Sequence, residues 1–389
     1  MRWSVLLDKL YVDNGGPRRP EVGEHLDAPS QALVESRSSF ERPNSRLLGL
    51  DGLRAIAIGF VLLLHASMMA GFPQNALLLA IARVGGFGVT VFFVVSGFLI
   101  THLLMTEENR SGMISIRRFY LRRAFRILPA AYVYVICVAV IASIVGVSLT
   151  RGEVASSMLF VRNLTDGSTL TAHFWTLAIE EQFYLVWPVA LWLCPARYRL
   201  WCTVLFCLAA PVWRQVNIGV FGATEINWSR ADLRYDALLA GAAAAIVRGE
   251  GRIAAAREAM ARHSGVIVAV SCVLVAVSLL IGEWGLPGWI GAASPTGQHM
   301  LLAVITLGVV DGESKGIRRV LDWPPLVVVG QLSYSLYLWQ QAFLVPWRGN
   351  STSEVTYGLA AALLAAVASY VLVERPCLRL RGRIISAGA

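Results

Sequence analysis

Residues 85–101 read GGFGVTVFFVVSGFLIT, seventeen positions without a charged group. Taken as 86–105, the run is long enough to cross the roughly 30 Å of a bilayer's hydrocarbon at about 1.5 Å per helical residue. Working outward from it, ten such hydrophobic segments appear along the chain. They lie near 50–70, 86–105, 128–149, 174–194, 200–213, 232–247, 265–282, 298–311, 326–347 and 356–373. The fifth, sixth and eighth are short, which predicts tilting, burial by neighbours or a partly re-entrant course.

The composition agrees. Of the 389 residues, 56% are hydrophobic and 15% charged, whereas a soluble domain is roughly 25% charged. Mean hydropathy is +0.59. So little polar surface cannot wrap a water-soluble core of this size, which excludes a soluble binding module. The expected fold is an all-α integral membrane protein with about ten transmembrane helices.

The formal charge of +9 rests on 34 basic residues, of which only Lys9 and Lys315 are lysines. Such arginine- and alanine-rich usage suits a GC-rich bacterial genome better than a nucleic-acid role. Residues 1–46 carry seven basic and seven acidic groups, so the excess lies between the hydrophobic segments. There it is a topology signal, and no nucleic-acid partner is expected. With the N-terminus cytoplasmic, the inside segments hold 26 Lys and Arg against six outside. Both termini are therefore expected in the cytoplasm, and the protein in the bacterial cytoplasmic (inner) membrane.

Residues 1–46, broken by Gly15-Gly16-Pro17 and Pro20, read as a disordered cytoplasmic tail with a short amphipathic start. The apolar run Val5-Leu6-Leu7 stops at Asp8, too soon for a cleavable signal. The membrane domain is expected over 47–380, with a short cytoplasmic tail over 381–389 and no soluble domain beyond. The six cysteines show no CxxC or paired spacing and imply neither a metal site nor a disulfide framework.

An ionisable residue inside a spanning segment costs a few kcal/mol on insertion scales, so each requires a reason. In LDGLRAIAIGFVLLLHA (50–66), Arg54 and His65 are eleven residues apart and share a face, with Asp51 one turn before Arg54. His65 reads either as a structural histidine or as a catalytic one. The glycines of the second segment suit close helix packing, and Ser96 fails the GxSxG elbow because Val94 stands at minus two. RRFYLRRAFRILP (117–129) sets Arg122, Arg123 and Arg126 within about a turn, just before a helix whose Pro129 suits a first turn. That is either a topological basic belt or a phosphate site at a helix N-terminus.

HFWTLAIEEQFYLVWP (173–188) puts His173, Glu180 and Tyr184 on one face, with Glu181 turned about 100° away. Two adjacent acids in a span seldom serve packing alone: one can pair with arginine while the other faces a cavity. Asp232, Arg234 and Asp236 open the sixth segment, as a self-neutralising helix end or as a polar site. GQLSYSLYLWQQ (330–341) supplies Ser333, Tyr334, Tyr337, Gln340 and Gln341 as hydrogen-bonders for packing or for a sugar.

These stretches resemble the bacterial membrane-bound acyltransferase 3 family, whose members O-acylate sugars, cell-envelope polymers and some antibiotics. The resemblance covers about residues 48–380. LDGLRAIAIGFVLLLHA resembles the family's Arg-x10-His first helix, GGFGVTVFFVVSGFLI its glycine-rich second helix and RAFRILP its RxxR element. HFWTLAIEEQFYLVWP resembles its fourth-helix box, and SYSLYLWQQ and SYVLVERP its closing motifs. The resemblance implies an acyl-CoA donor, acetyl-CoA foremost, entering from the cytoplasm, and no bound cofactor. It implies His65 as catalytic histidine beside Arg54, with Arg123 and Arg126, and Arg122 next to them, on donor phosphates. Many relatives have histidine where this chain has Gln340, so no second base is expected there. The esterase-like domain of some relatives is not expected here.

A hydroxyl is a poor nucleophile and needs a base. His65 is expected to supply it or to be acylated transiently, Glu180 or Glu181 to orient it, and Arg54 to stabilise charge on the thioester oxygen. His173, Tyr184, Asp236, Tyr334 and Gln340 are the expected binders of a carbohydrate or glycoside acceptor. Two other readings stand beside this one: a proton-coupled multispanning transporter, and a non-catalytic partner in envelope-polymer assembly. No HxxxxD motif follows any histidine, which disfavours other acyltransferase types.

Overall fold

The computed structural model describes residues 47, 49–165, 167, 169–222, 229–249, 254–282, 288–345 and 354–387, so the tail expected over 1–46 lies outside the described residues. Everything regular in it is helical: among the described residues no strand forms, and one isolated parallel bridge joins Ala70 to Glu354. In chain order the helices are α1 (Leu50–Ala66), α2 (Ala76–Arg83), α3 (Phe87–Ser111), α4 (Ile116–Val145), α5 (Arg151–Met158), α6 (Thr169–Ala172), α7 (Phe174–Leu193) and α8 (Ala196–Phe221). There follow α9 (Tyr235–Gly249), α10 (Ala254–Arg262), α11 (Ser264–Gly282), α12 (Gly288–Asp311), α13 (Lys315–Leu321), α14 (Pro324–Leu344), α15 (Val355–Ser369) and, after a π-helical turn at Tyr370–Glu374, α16 (Arg375–Ala387).

Among the described residues six helical runs are long and apolar enough to cross a membrane: α3, α4, α8, α11, α12 and the continuous stretch Val355–Ile384. Several carry an exposed apolar face of the kind lipid would cover, such as Leu205, Phe206, Leu208, Val212 and Val216 on α8. The remaining long segments α1, α7, α9 and α14 are shorter or more polar and lie largely inside the bundle. Helix α9 is the extreme case, with every residue from 236 to 246 buried between α3, α8 and α12.

Two expected lengths are corrected. The fifth and eighth segments are not short: α8 has 26 residues and α12 has 24. Arg214 and Asn217 on α8, and Thr296 on α12, interrupt the apolar runs and hide these lengths. All three side chains are buried. Their polarity faces inward, where hydrogen bonds satisfy it, so it does not shorten the helices.

The centre of the bundle depends on small residues. A Cβ on Gly97 would stand 1.9 Å from the Leu238 carbonyl oxygen, and one on Gly241 would stand 1.9 Å from that of Val94. Helices α3 and α9 therefore touch backbone to backbone, as small residues allow inside a membrane. Gly330 brings α14 equally close to Asp51 on α1. The expectation of tight packing at the second segment's glycines is met at Gly85, Gly88 and Gly97, each of which has a neighbouring backbone carbonyl oxygen where its Cβ would lie.

Gly112 ends α3 in the left-handed conformation (φ 74°), and Ser115 caps α4 three residues later. The short turn brings Glu107 onto Arg122, 2.6 Å apart. Helix α4 begins at Ile116, so Arg122, Arg123 and Arg126 lie inside it and Pro129 is an interior proline. The expected phosphate site at a helix N-terminus is thereby corrected: the amides near these arginines are committed to the helix, and only the guanidiniums remain to receive an anion.

Candidate active site

Two cavities lie end to end in the bundle. The larger, about 470 Å³, is lined at one end of α1 by His65, Arg83, His173, Trp175, Arg234 and Gln341, among others. The smaller, about 70 Å³, is lined by Arg54, Phe92, Ser96, Glu180, Ser333 and Tyr334, among others. Val89 and Tyr337 line both. The Tyr337 hydroxyl is held 2.6 Å from Thr176 Oγ1 and donates to the His173 carbonyl oxygen at 3.1 Å. That phenol is a fixed partition between the two spaces.

The small cavity is built by four helices, α1, α3, α7 and α14, each of which brings polar groups. Arg54 Nε on α1 donates to Ser333 Oγ on α14 at 3.2 Å. Ser96 Oγ on α3 donates to Glu180 Oε1 on α7 at 2.8 Å, and Tyr184, one turn further on, donates to Glu180 Oε2 at 3.2 Å. Tyr334 hands its proton to the Ile127 carbonyl oxygen on α4 at 2.8 Å. One cationic and one acidic side chain thus share a small space with every oxygen of the carboxylate occupied.

Past this cavity, on the side away from His65, stand the arginines of α4. The Arg123 guanidinium lies over the rings of Tyr184 (5.2 Å) and Phe119 (5.8 Å). Stacking of this kind fixes the plane of the fork and leaves its edge for an anion. Arg126 lies within electrostatic reach of Arg54 and Glu374. Glu374 in turn accepts a hydrogen bond from Ser335 Oγ, brought there by the π-helical turn. Glu181 Oε1 is buried without a hydrogen-bond partner.

The large cavity contains unsatisfied polar atoms. Both ring nitrogens of His173 and Nδ1 of His65 are buried without a hydrogen-bond partner. His173 is only 4% exposed and is packed among the rings of Tyr134, Phe174 and Tyr337. Unpaired donors and acceptors in such a place usually mark a space that water or a ligand fills. Gln340 adjoins His65 but lines neither cavity, and its Oε1 is also unpaired.

Several sequence expectations shift here. Arg54 and His65 do share a face of α1, but eleven residues separate them by about 16.5 Å along the axis. They line different cavities, too far apart to touch one thioester together. Glu180 lines the small cavity and accepts from Ser96 and Tyr184 rather than meeting His65 in the large one, and the neighbour of His65 on the fourth box is His173. Asp236 lines neither cavity. It is fully buried and accepts hydrogen bonds from Arg214, from Thr296 (2.6 Å) and from His299 (3.0 Å). The self-neutralising cluster is likewise corrected: Asp232 pairs with Arg230, Asp236 with Arg214, and Arg234 lies 5.9 Å over Trp175.

Arg83 and Trp175 were no part of the expected site. Arg83 reads as a loop charge in the sequence, but it ends the short helix α2. A Cβ on Gly85 would meet the Phe60 carbonyl oxygen at 2.5 Å and the Leu64 Cβ at 2.6 Å, so the α2–α3 turn lies directly on α1. That contact carries Arg83 to the rim of the cavity that His65 lines.

Fold and interior together define a multi-helical protein with helices long and apolar enough to span a membrane and a polar site within the bundle. Residues 47–374 match the acyltransferase 3 family model, described as an acyltransferase domain, and the chain belongs to that family. It is 26% identical over 352 residues to the peptidoglycan O-acetyltransferase OatA of Listeria monocytogenes, covering 84% of this chain and 53% of that one. It is 29% identical over 320 residues to the putative peptidoglycan O-acetyltransferase YrhL of Bacillus subtilis, covering 76% and 48%. A putative O-acetyltransferase of Staphylococcus aureus is 27% identical over 326 residues, covering 76% and 50%. The chain thus spans about half the length of these curated relatives. No solved structure matches it.

Proposed function

We propose that this chain is an integral membrane O-acyltransferase that moves an acyl group, acetyl foremost, from acyl-CoA to a hydroxyl of a carbohydrate or other envelope glycoside. It sits in the bacterial inner membrane with ten spans and both termini in the cytoplasm. The names of the relatives favour an envelope polymer as acceptor. The observation that carries this reading is the pair of adjoining cavities: arginines and a small pocket on one side of Tyr337, histidines and a large pocket on the other.

In this reading Arg123 and Arg126 hold donor phosphates, with Arg122 at the edge. Arg54 and Glu180 line the passage of the acyl end. The acceptor occupies the large cavity. His65 takes the proton of the acceptor hydroxyl as its oxygen attacks the thioester carbonyl carbon. The new C–O bond forms as the C–S bond breaks, and the departing sulfur takes that proton from the imidazolium. The products are an ester and a free thiol. His173, beside His65, helps to position the acceptor.

The test is thiol release from acetyl-CoA by the purified chain in liposomes, with wild type beside His65→Ala and Arg123→Ala. Release that depends on His65, with a raised KM for acetyl-CoA in Arg123→Ala, is the expected result. Neither turnover nor binding of acetyl-CoA or longer acyl-CoAs by the wild type would overturn the reading.

A further inference from the structure

The large cavity has an unbalanced charge. Its walls carry two arginines, Arg83 and Arg234, and two histidines, His65 and His173, and no aspartate or glutamate among the described lining residues. Among the described residues, Asp232 is engaged by Arg230 and Asp236 by Arg214, while Glu180 belongs to the small cavity. A guanidinium facing a space bounded by low-dielectric walls attracts anions strongly, because field lines concentrate there.

The two arginines are set differently. Arg83 is exposed at the rim, and among the described residues no carboxylate pairs with it. Arg234 is half-buried and rests over the indole of Trp175. Between them the lining offers a flat aromatic face in Trp175 and hydrogen-bonding groups in Thr90, Gln298 and Gln341. An aromatic face with nearby polar groups suits a sugar ring, and the guanidinium forks suit a carboxylate or phosphate bidentately. His173 adds a buried imidazole to the same wall.

We infer that the acceptor is an anionic glycan: a sugar bearing a carboxylate or phosphate, held by Arg83 at the rim so that a neighbouring hydroxyl reaches His65. This names the acceptor class of the function proposed above and rests on that reading. Arg83 is a specificity residue in it. A neutral glycan of the same size fills the cavity but leaves the guanidinium of Arg83 without an anion to hold.

The test uses the full chain in liposomes and two matched pairs of probes. One pair is digalacturonate and its carboxyl-reduced, neutral counterpart; the other is methyl glucoside 6-phosphate and methyl glucoside. Equilibrium binding is measured without donor, and acetyl transfer is measured with acetyl-CoA. At least tenfold tighter binding of one or both anionic members is expected, together with a fall in that preference at high salt. The preference should drop to within about twofold in Arg83→Ala and Arg83→Gln and survive in Arg83→Lys.

A preference for carboxylate alone or phosphate alone identifies the source of the anion. Equal binding of charged and neutral probes by the wild type overturns the inference, as does a preference unchanged in Arg83→Ala. Because binding is read without donor, a chain that binds the anionic probe but never releases thiol counts against the acyltransferase reading alone. Thiol release with no charge preference counts against this inference alone.

Discussion

Arg54 and His65 stand on one face of α1, yet Arg54 lines the small cavity with Glu180 and His65 the large one with His173. The axial rise between them, about 16.5 Å, puts them in different ones of the two adjoining cavities. Their variants should therefore fail differently. His65→Gln should lower kcat for acetyl transfer by about 10²–10⁴-fold, the usual worth of a general base. Arg54→Gln should chiefly change how acyl-CoA of different chain lengths is used. Steady-state kinetics with varied acetyl-CoA tests this, and identical kcat and KM changes in the two variants would sink it.

The small cavity, at about 70 Å³, is walled by Phe92 and Phe93, and Phe92 meets Tyr337 edge-on with centroids 6.2 Å apart. A space of this size favours a short acyl group. Phe92→Ala should raise the rate with butyryl-CoA relative to acetyl-CoA several-fold. If the ratio in competition assays stays at the wild-type value, Phe92 does not set chain length.

Arg214 and Asp236 are 1% and 0% exposed and tie α8 to α9, with Thr296 and His299 adding α12. Removing one partner leaves the other charge buried and unpaired, at a cost of about 3–5 kcal/mol. Asp236→Asn keeps the shape and removes the charge, so it should lower the thermal midpoint in detergent sharply. Replacing both residues by leucine should recover much of the loss. An Asp236→Asn protein that unfolds with the wild type would remove this pair from the account of stability.

Gly241 faces the Val94 carbonyl oxygen, whereas a Cβ on Gly59 would meet nothing within 4 Å. Gly241→Ala should therefore force α9 off α3 and destabilise by about 1–3 kcal/mol, in the range of overpacked cores. Gly59→Ala should be neutral or stabilising by up to about 1 kcal/mol, the helix propensity difference. Comparing folded yield and thermal midpoint for the two variants decides it, and similar losses in both would contradict the close-approach argument.

Much of the site could be read from local spacing, and the limits of that reading are physical. Arg54 and His65 share a helix, so a period of 3.6 places them on one face. His173, Glu180 and Tyr184 follow by the same rule, although the face they share runs past both cavities. Nothing local joins Ser96 to Glu180, 84 residues away, or Arg214 to Asp236 across two helices. Those pairs exist because α3, α7, α8 and α9 pack together. The same packing explains the hidden lengths of α8 and α12, since polar residues that face each other look like breaks in an apolar run. Arg83 was invisible because helix α2 is short and its position depends on the contact of Gly85 with α1.

Tyr337 carries a consequence for the membrane itself. A potential of 100 mV is worth about 2.3 kcal/mol per elementary charge moved across the bilayer, so any continuous column of water through the bundle would dissipate it. The phenol held by Thr176 and His173, together with Val89, stands between the two cavities. Under the proposed function, a two-carbon unit reaches the acceptor only by displacing that phenol, so the same side chain that separates the cavities is the one the acyl group has to move.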